Sequence, residues 1–219
     1  KYSIYIKLFN MCSFLIVNFL LSPANIDKIN RLLLLRGPDI TNIDFLRGYT
    51  IIHNLLNITG DITIQPFIEG DISITYNGEI YNAYELAADL NIQIKSDGQI
   101  LMPLYKKYGK DMFKLLDGEY CIVVNDFIRD ELLMITDTFA TKPIYYDISN
   151  GKIAISSYYT PIQMLGFNNP KKLKANNIYC FRLSNLQLLD IKTIYEWDLK
   201  QNNTDIDSWI KAFEKAVIK

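Results

Sequence analysis

Two short stretches of this sequence carry residues that could do chemistry. Asn77 and Gly78 place a side-chain amide next to a backbone N–H that glycine leaves unobstructed, and two such donors side by side can hold an oxyanion. Cys12 is a potential nucleophile, and cleavage after Met11 would make it N-terminal. Its own α-amine, with a pKa of roughly 7.7–8.0, could then act as the general base. Each feature also has an ordinary interpretation, because Asn-Gly is commonly a tight turn and a lone cysteine is commonly structural.

The composition describes a folded globular domain and argues against several classes of function. An apolar fraction of 49% and a charged fraction of 21% are ordinary for a globular protein. The net charge of −1 offers no basic surface to nucleic acid. Cys12, Cys121 and Cys180 are too widely spaced for a disulfide framework or a zinc cluster, so a reducing, cytoplasmic compartment is expected. His53 is the only histidine, which argues against a His-rich metal site and most His-based triads.

Residues 1–24 are similar to a secretory signal peptide, with two early lysines, an apolar run and a small-residue end. The apolar run, residues 14–21, is interrupted by Asn18 and is too short to span a bilayer. A buried strand is therefore the preferred interpretation, and no membrane partner is expected. Residues 1–11 are interpreted as a leader or a misread start, because the chain does not begin with methionine.

Strand and helix patterns are interleaved along the chain without a βαβ rhythm. Strand-like runs of apolar and β-branched residues occupy 13–21, 49–53, 57–64, 72–76, 120–125, 132–136, 153–156 and 178–183. Helical periodicity occupies 25–35, 82–90, 98–108 and 205–219. This order predicts an α+β architecture built from packed layers.

The candidate residues belong to an ordered set of motifs that resembles the glutamine-hydrolysing domain of asparagine synthetases, a class II glutamine amidotransferase. The set comprises Met11-Cys12-Ser13, Arg36-Gly37-Pro38-Asp39, Gln65-Pro66, Asn77-Gly78-Glu79-Ile80-Tyr81-Asn82, Ser96-Asp97, Leu116-Asp117-Gly118-Glu119-Tyr120, and Thr136-Asp137 with Lys142-Pro143-Ile144-Tyr145-Tyr146. The resemblance implies a four-layer αββα N-terminal-nucleophile hydrolase sandwich over residues 12–200.

The resemblance also implies the role of each site residue. Cys12 would attack the side-chain carbonyl of L-glutamine, and water would then hydrolyse the glutamyl thioester. The Asn77 side chain and the Gly78 backbone N–H would hold the tetrahedral oxyanion. Asp97 would bind the α-ammonium group of the substrate, and Glu79 would line the same pocket. No metal or organic cofactor is implied for this glutaminase step.

Two mild departures from the family pattern are Ser13 and Ala140, each of which stands where the family has glycine.

A third departure bears on substrate binding. The family strand reads His-x-Arg-Leu, and its arginine binds the α-carboxylate of glutamine; here Leu55 stands in that place. A hydrogen bond to a charged group contributes roughly 1.5–3 kcal/mol, so the exchange could cost about tenfold or more in affinity. Arg47 and Arg36 are candidates to replace the lost charge. The backbone around Leu55 and Asn57 is still expected to edge the substrate pocket.

Asparagine synthetases continue into an ATP-using domain with a Ser-Gly-Gly-x-Asp-Ser loop, a motif that this sequence does not contain. The resemblance implies that ATP and Mg²⁺ act only in such a partner synthetase domain, in the same or another chain. Residues 201–219 are interpreted as a hinge and the start of a helix leading to it. The chain is thus expected to be a free-standing subunit or a fragment cut at that boundary, and a homo-oligomer is left open.

Two rival interpretations accompany this reading of the sequence. The first is a degenerate domain of the same fold that binds a partner or an amino acid without hydrolysing glutamine, and Leu55 is the residue that supports it. The second is a secreted binding protein, which would require residues 1–24 to be a cleaved signal peptide. Labelling of Cys12 by an electrophile only in the trimmed chain would favour the enzyme over the first rival. Intact residues 14–24 in the mature protein would exclude the second.

Overall fold

The computed structural model describes residues 11–198, 200 and 205–218. Within these ranges, twelve strands form two antiparallel six-stranded sheets. In spatial order the first sheet contains β10 (Lys171–Lys172), β8 (Tyr145–Ser149), β9 (Lys152–Ser156), β1 (Ser13–Val17), β3 (Tyr49–Leu55) and β2 (Ile40–Leu46). The second contains β12 (Leu188–Thr193), β11 (Asn177–Arg182), β7 (Glu131–Thr136), β6 (Gly118–Asp126), β5 (Ile72–Ile80) and β4 (Phe67–Glu69).

Five α-helices accompany the sheets in the described part of the chain. They are α1 (Pro23–Leu33), α2 (Ala83–Asp89), α3 (Leu101–Tyr108), α4 (Tyr159–Met164) and α5 (Ile206–Ile218). Two 3₁₀ turns, Asp97–Ile100 and Gly109–Lys114, flank α3. None of these helices is both long and apolar enough to cross a bilayer.

The sheets pack face to face, and helices cover their outer sides. The core between the sheets combines side chains of β1, β3 and β9 with side chains of β6, β7 and β11. On the first sheet, α1 and α4 bury Ile29, Leu33 and Ile162. On the second, α2 and α3 bury Ala87 and Leu104. The predicted α+β, four-layer αββα sandwich is confirmed.

Strand β1 shows how the sequence produces these layers. Successive side chains of a strand point to opposite faces of its sheet, so Phe14 and Ile16 join the core between the sheets. Leu15 and Val17 join the core beneath α1 and α4 instead. Each such burial contributes about 1.5–3 kcal/mol. Asn18 ends the strand because its amide bonds to the backbone of β9 and of the turn before it.

Most predicted elements are present with shifted ends, but the predicted strand at 57–64 is wrong. The side chains of Ile58, Ile62 and Ile64 have the alternation of a strand, yet each is more than half exposed. The segment is a loop whose backbone is tied elsewhere, with the Asp61 N–H donating to the Lys95 carbonyl at 3.0 Å. The strands β2, β4, β8, β10 and β12 and the helix α4 were not predicted.

His53 connects the two sheets close to the candidate site. Its Nε2 lies 3.2 Å from the carbonyl oxygen of Tyr76, so a residue of β3 bonds to a residue of β5. Burial lowers the pKa of His53 to about 4, against a smaller opposite effect of this hydrogen bond. The imidazole is therefore neutral at pH 7 and donates its Nε2 proton to Tyr76.

This buried histidine predicts a loss of stability in acid. The stability contributed by its neutral form is complete at pH values above the unfolded-state pKa of about 6.5. This stability is lost as the pH falls through the folded-state pKa of about 4. The loss is on the order of 3 kcal/mol. Measured by urea unfolding, the free energy of unfolding of the wild type should therefore fall between pH 6.5 and 4. Its fall should exceed that of the His53→Gln variant by about that amount. Parallel curves for the two proteins would contradict the assignment.

The loop that connects β7 to the segment carrying Lys142 is held in place by hydrogen bonds to Asp137. The Asp137 carboxylate accepts backbone N–H groups of Tyr120, Phe139 and Thr141, at 3.1, 2.8 and 2.9 Å. This fixes the loop against β6. Ala140 lies at the loop's tightest point with φ of 50°, the position where the resemblance led to an expected glycine.

The left-handed backbone of Ala140 predicts a stabilising substitution. An L-residue in this region costs roughly 1–2 kcal/mol, and the greater freedom of glycine in the unfolded chain offsets about 0.5–1 kcal/mol of the relief. Ala140→Gly should raise the free energy of unfolding by about 0.5–1 kcal/mol. Ala88→Gly in helix α2 is the matched control and should lower it by a similar amount. A loss of stability in Ala140→Gly would sink the prediction.

Candidate active site

Cys12 lies directly before β1, and the pairing of Ser13 with Asn54 brings it beside the end of β3. The backbone N–H of Leu56 donates to Cys12 Sγ at 3.3 Å, and the thiol donates to the Leu56 carbonyl at 3.6 Å. Ser13 Oγ donates to the Leu33 carbonyl at 2.8 Å, which fastens the start of β1 to the end of α1. The predicted nucleophile is thus held by backbone groups of its neighbours.

The surroundings of Cys12 keep its thiol protonated. Burial raises its pKa to about 11, the Leu56 N–H opposes this, and the carboxylates of Glu79 and Asp97 raise it further. At pH 7 only about one such thiol in 10⁴ is ionised. His53 is committed to the Tyr76 carbonyl and does not help. The thiol therefore needs another base before it can react.

Asn77 and Gly78 lie inside β5, so the interpretation as a tight turn is wrong. Gly78 has a φ of 152°, and a Cβ there would lie 2.1 Å from the Glu119 carbonyl oxygen of β6. A Cβ on Gly118 of β6 would lie 2.2 Å from the Glu79 carbonyl oxygen. Any larger residue at either place would force the two strands apart. The glycines are required by this close backbone approach.

The side chain of Asn77 is buried with an unused donor. It is 1% exposed, and its Nδ2 has no oxygen or nitrogen partner in the described chain. It adjoins Cys121, whose thiol pKa is raised by burial while the charge of Arg36 and the Asn77 amide oppose that rise. A thiol is a weak acceptor, and an unsatisfied buried donor costs about 1–3 kcal/mol. The amide is available for a stronger acceptor.

Two adjoining cavities meet at Cys12. The first, the Cys12 cleft, is lined by Met11, Cys12, Leu56, Ile58, Asn77, Gly78, Glu79, Glu119 and Lys142. The second, the acidic pocket, is lined by Cys12, Leu55, Leu56, Asn57, Ile58, Thr59, Asp61, Thr63, Gln65, Tyr76, Gly78, Glu79, Ser96, Asp97 and Gly98. Every residue predicted to act in catalysis or substrate binding lines at least one of them.

Asp97 is held firmly in the acidic pocket. Its Oδ2 accepts from the hydroxyl of Tyr76 and from the backbone N–H of Ile80, the latter at 2.8 Å. Its Oδ1 accepts from the Gly98 N–H at 2.8 Å. Ser96 makes no capping bond with its side chain. Since a carboxylate offers about four lone-pair sites, Asp97 keeps room for one further donor.

Glu79 is the second carboxylate beside the thiol. Burial and then the charge of Asp97 raise its pKa, while a hydrogen bond from Thr59 Oγ1 at 3.1 Å opposes the shift. Two acids and a thiol therefore share one negatively charged region. A cationic group bound between them would relieve the repulsion.

The Arg-Gly-Pro-Asp motif shapes the wall of the acidic pocket. Asp39 accepts the Asn57 N–H at 2.8 Å, and its own N–H donates to the Leu55 carbonyl at 3.0 Å. Gly37 passes so close to β3 that a Cβ there would lie 2.1 Å from the Asn54 carbonyl oxygen. The segment clamps the end of β3, where the backbone supports Cys12.

Two further motif side chains act as braces. Gln65 Oε1 accepts the backbone N–H of Tyr76 at 2.7 Å, which ties the loop to β5. The amide of Asn82 donates to the Leu115 carbonyl and accepts the Asp117 N–H, at 2.8 and 3.0 Å. The ends of β5 are thereby fixed on both sides of Asn77 and Gly78.

In the part of the chain that the structure describes, no arginine replaces the family residue at the position of Leu55. Leu55 is 8% exposed and lines the acidic pocket. Arg47 occupies the β2–β3 turn at the opposite end of β3 and pairs with Asp71. The guanidinium of Arg36 lies 5.0 Å from the ring centre of Tyr158. Neither arginine lines either cavity, so the expectation that one of them compensates is wrong.

Lys142 and Glu119 form an ion pair in the Cys12 cleft that sequence reasoning did not single out as part of the site. Lys142 Nζ lies 2.8 Å from Glu119 Oε1, and the lysine side chain is only 10% exposed. Both residues stood within recognised motifs, which was the available signal. Tyr76 was missed because its hydroxyl role depends on Asp97, which is distant in sequence. In the described ranges, no group of three or more His, Cys, Asp or Glu is arranged to hold a metal ion.

Comparison with known proteins relates this geometry to a family. The profile of a glutamine amidotransferase domain matches residues 11–197. A glutamine-hydrolysing asparagine synthetase of Sandersonia aurantiaca is 30% identical over 206 residues, covering 88% of this chain and 38% of the relative. Asparagine synthetase 2 of Oryza sativa subsp. japonica is 33% identical over 131 residues, covering 56% and 22%. Amidase chyE of Penicillium rubens is 32% identical over 133 residues, covering 56% and 19%.

The chain spans less than half the length of these relatives. Among solved structures, the glutamine phosphoribosylpyrophosphate amidotransferase from B. subtilis, complexed with ADP and GMP, has the same fold. Its TM-score is 0.58 at 16% identity, over 89% of this chain and 46% of that one. The sequence match and the shared two-sheet architecture lead to one conclusion. This chain belongs to the glutamine amidotransferase domain family and is related to the asparagine synthetases.

Proposed function

We propose that this chain hydrolyses L-glutamine to glutamate and ammonia, with Cys12 as its nucleophile. One observation carries the proposal. Cys12, Asn77 and Gly78 line a single cleft, and the adjoining pocket presents Glu79 and Asp97 to the same thiol. A nucleophile, two oxyanion donors and acids for an ammonium group are the parts that this reaction needs.

The reaction proceeds through a thioester. Cys12 Sγ attacks the side-chain carbonyl carbon of glutamine, and the free α-amine of Cys12 takes the thiol proton. The Asn77 amide and the Gly78 N–H hold the oxyanion. The carbon–nitrogen bond breaks as the α-ammonium returns the proton to the leaving nitrogen, which departs as ammonia. Water then adds to the thioester, restoring the thiol and releasing glutamate.

The α-amine is the base because the surrounding groups cannot serve. The thiol has a pKa near 11, whereas an α-amine titrates at roughly 7.7–8.0, close to the working pH. The amide nitrogen between Met11 and Cys12 is not basic, so the residues before Cys12 must be removed. Residues 1–10 lie outside the described residues, and their interpretation as a leader remains a prediction.

Substrate recognition follows from the acidic pocket. The free lone pair of Asp97 and the carboxylate of Glu79 bind the substrate α-ammonium. The backbone from Leu55 to Asn57 forms the opposite wall, set in place by Asp39. The ion pair of Lys142 and Glu119 closes the Cys12 cleft on its remaining side.

In this proposal the released ammonia is passed to an ATP-dependent synthetase that makes asparagine. This rests on the relatives, two of which are named glutamine-hydrolysing asparagine synthetases and are more than twice as long as their match to this chain. ATP and Mg²⁺ act in that partner domain, and the glutaminase step uses no cofactor. The cysteines in the described ranges are free thiols, consistent with a cytoplasmic protein.

The primary test is glutamate release by three proteins: the chain beginning at Cys12, its Cys12→Ala variant, and the chain beginning at Lys1. Only the first should release glutamate. Equal release by the other two would show that Cys12 is not an N-terminal nucleophile. If all three remain folded and inactive, the glutaminase proposal fails and the degenerate binding domain takes its place.

A second test addresses the oxyanion donors. Asn77→Ala removes the unpartnered buried amide and should lower kcat by about 10²–10³, with a much smaller change in KM. Asn125→Ala is the matched control, because Asn125 is equally buried in the same sheet but bonds to Ser73 at the far end of β6. Similar losses of kcat in both variants would indicate a packing effect instead.

A further inference from the structure

The acidic pocket has an unusual charge balance for a site that binds an amino acid. Its lining contains three carboxylates, Asp61, Glu79 and Asp97, and no arginine, lysine or histidine. Lys95 lies 3.7 Å from Asp61, but both side chains are more than two-thirds exposed and Lys95 does not line the pocket. The lining carboxylates can bind the ammonium group of a substrate, whereas none of these lining residues offers a cation to its carboxylate.

Three neutral donors in the pocket are also committed. Thr59 Oγ1 donates to Glu79, and Thr63 Oγ1 donates to the Asp61 carbonyl at 3.0 Å. The Asn57 N–H donates to Asp39. A substrate carboxylate would therefore lose its hydration without gaining a cation or these donors, which is a costly exchange.

Leu55 gives the wall of the acidic pocket an apolar side chain. Its side chain is buried, with the apolar side chain of Ile58 among its fellow lining residues. A wider cleft of about 450 Å³ shares the carboxylates of Glu79 and Asp97 with the acidic pocket. It is lined by Ile58, Thr59, Gly60, Glu79, Ile80, Tyr81, Tyr84 and Asp97. That volume lies within the range of small-molecule sites, roughly 300–1,000 Å³. A substituent larger than a carboxylate can extend into it.

We infer that this site selects primary carboxamides that carry an ammonium group and a neutral, extended group in place of the free α-carboxylate. Glutamine amidated at its α-carboxyl, or joined to another residue by its carboxyl, belongs to this class. Leu55 is the specificity-determining residue, because it puts an apolar side chain where a carboxylate would need a cation. The inference rests on the proposed hydrolysis and names its substrate class.

Binding to the chain that begins at residue 12 and carries Cys12→Ala tests the selectivity without hydrolysis. L-glutaminamide should bind at least tenfold more tightly than L-glutamine, since only glutamine brings a carboxylate. N-acetyl-L-glutamine, which lacks the ammonium group, should bind more weakly than either. A glutaminamide preference below threefold overturns the inference.

Exchanging Leu55 for a cation should reverse the preference. In Leu55→Arg, the affinity for glutamine should rise about tenfold or more relative to glutaminamide. Phe45→Arg is the matched control, because it adds the same charge at an exposed position of β2 outside both cavities. An unchanged ratio in a folded Leu55→Arg protein would count against a role for Leu55.

Hydrolysis separates this inference from the proposed function. The chain beginning at Cys12 is given L-glutamine, glutaminamide or L-glutaminyl-glycine, and loss of the side-chain amide is followed by mass spectrometry. Higher kcat/KM for the latter two than for glutamine supports both proposals. Hydrolysis of glutamine with rejection of the other two overturns the inference alone. Selective binding without hydrolysis of any carboxamide overturns the glutaminase and keeps the selectivity.

Discussion

The register between β1 and β3 is the constraint on which the rest of the structure depends. A slip of one residue would exchange the faces of β1, moving Phe14 and Ile16 away from the core between the sheets. Cys12 directly precedes this strand, so the packing that fixes the register also fixes the sulfur against Leu56. The position of the proposed nucleophile is set by core packing rather than by its neighbours in the candidate site.

Strand patterns are local signals, and they predicted seven of the twelve strands in the described residues. The four-layer arrangement and the candidate site followed from the family resemblance, which rests on motifs of fixed spacing. The failures have a different physical origin. Residues 57–64 have the pattern of a strand but no strand beside them, and only tertiary structure supplies that partner. The location of Arg47 at the far end of β3 likewise follows from the register, not from its nearness to Leu55 in sequence.

The charges around Cys12 create opposing demands within one small volume. Acids that suit an ammonium group also raise the pKa of the thiol that must become nucleophilic. In the proposed mechanism a terminal α-amine resolves the conflict, since it is a base carried by the residue of the proposed nucleophile. Its protonated form is itself favoured by Glu79 and Asp97. In that mechanism the acids thus support recognition of the substrate ammonium and the transfer of the thiol proton to the α-amine.

Tyr76 joins the substrate pocket to the packing of the two sheets. Its hydroxyl bonds to Asp97, its N–H to Gln65, and its carbonyl to His53 on the opposite sheet. A ligand that fastens Asp97 therefore also fastens the residue through which the sheets are connected. By mass action, a ligand specific to the folded state raises the melting temperature as its concentration increases relative to its dissociation constant. The same ligand would slow amide hydrogen exchange along β3 and β5. Ligand occupancy would therefore be measurable as increased rigidity of the two packed sheets.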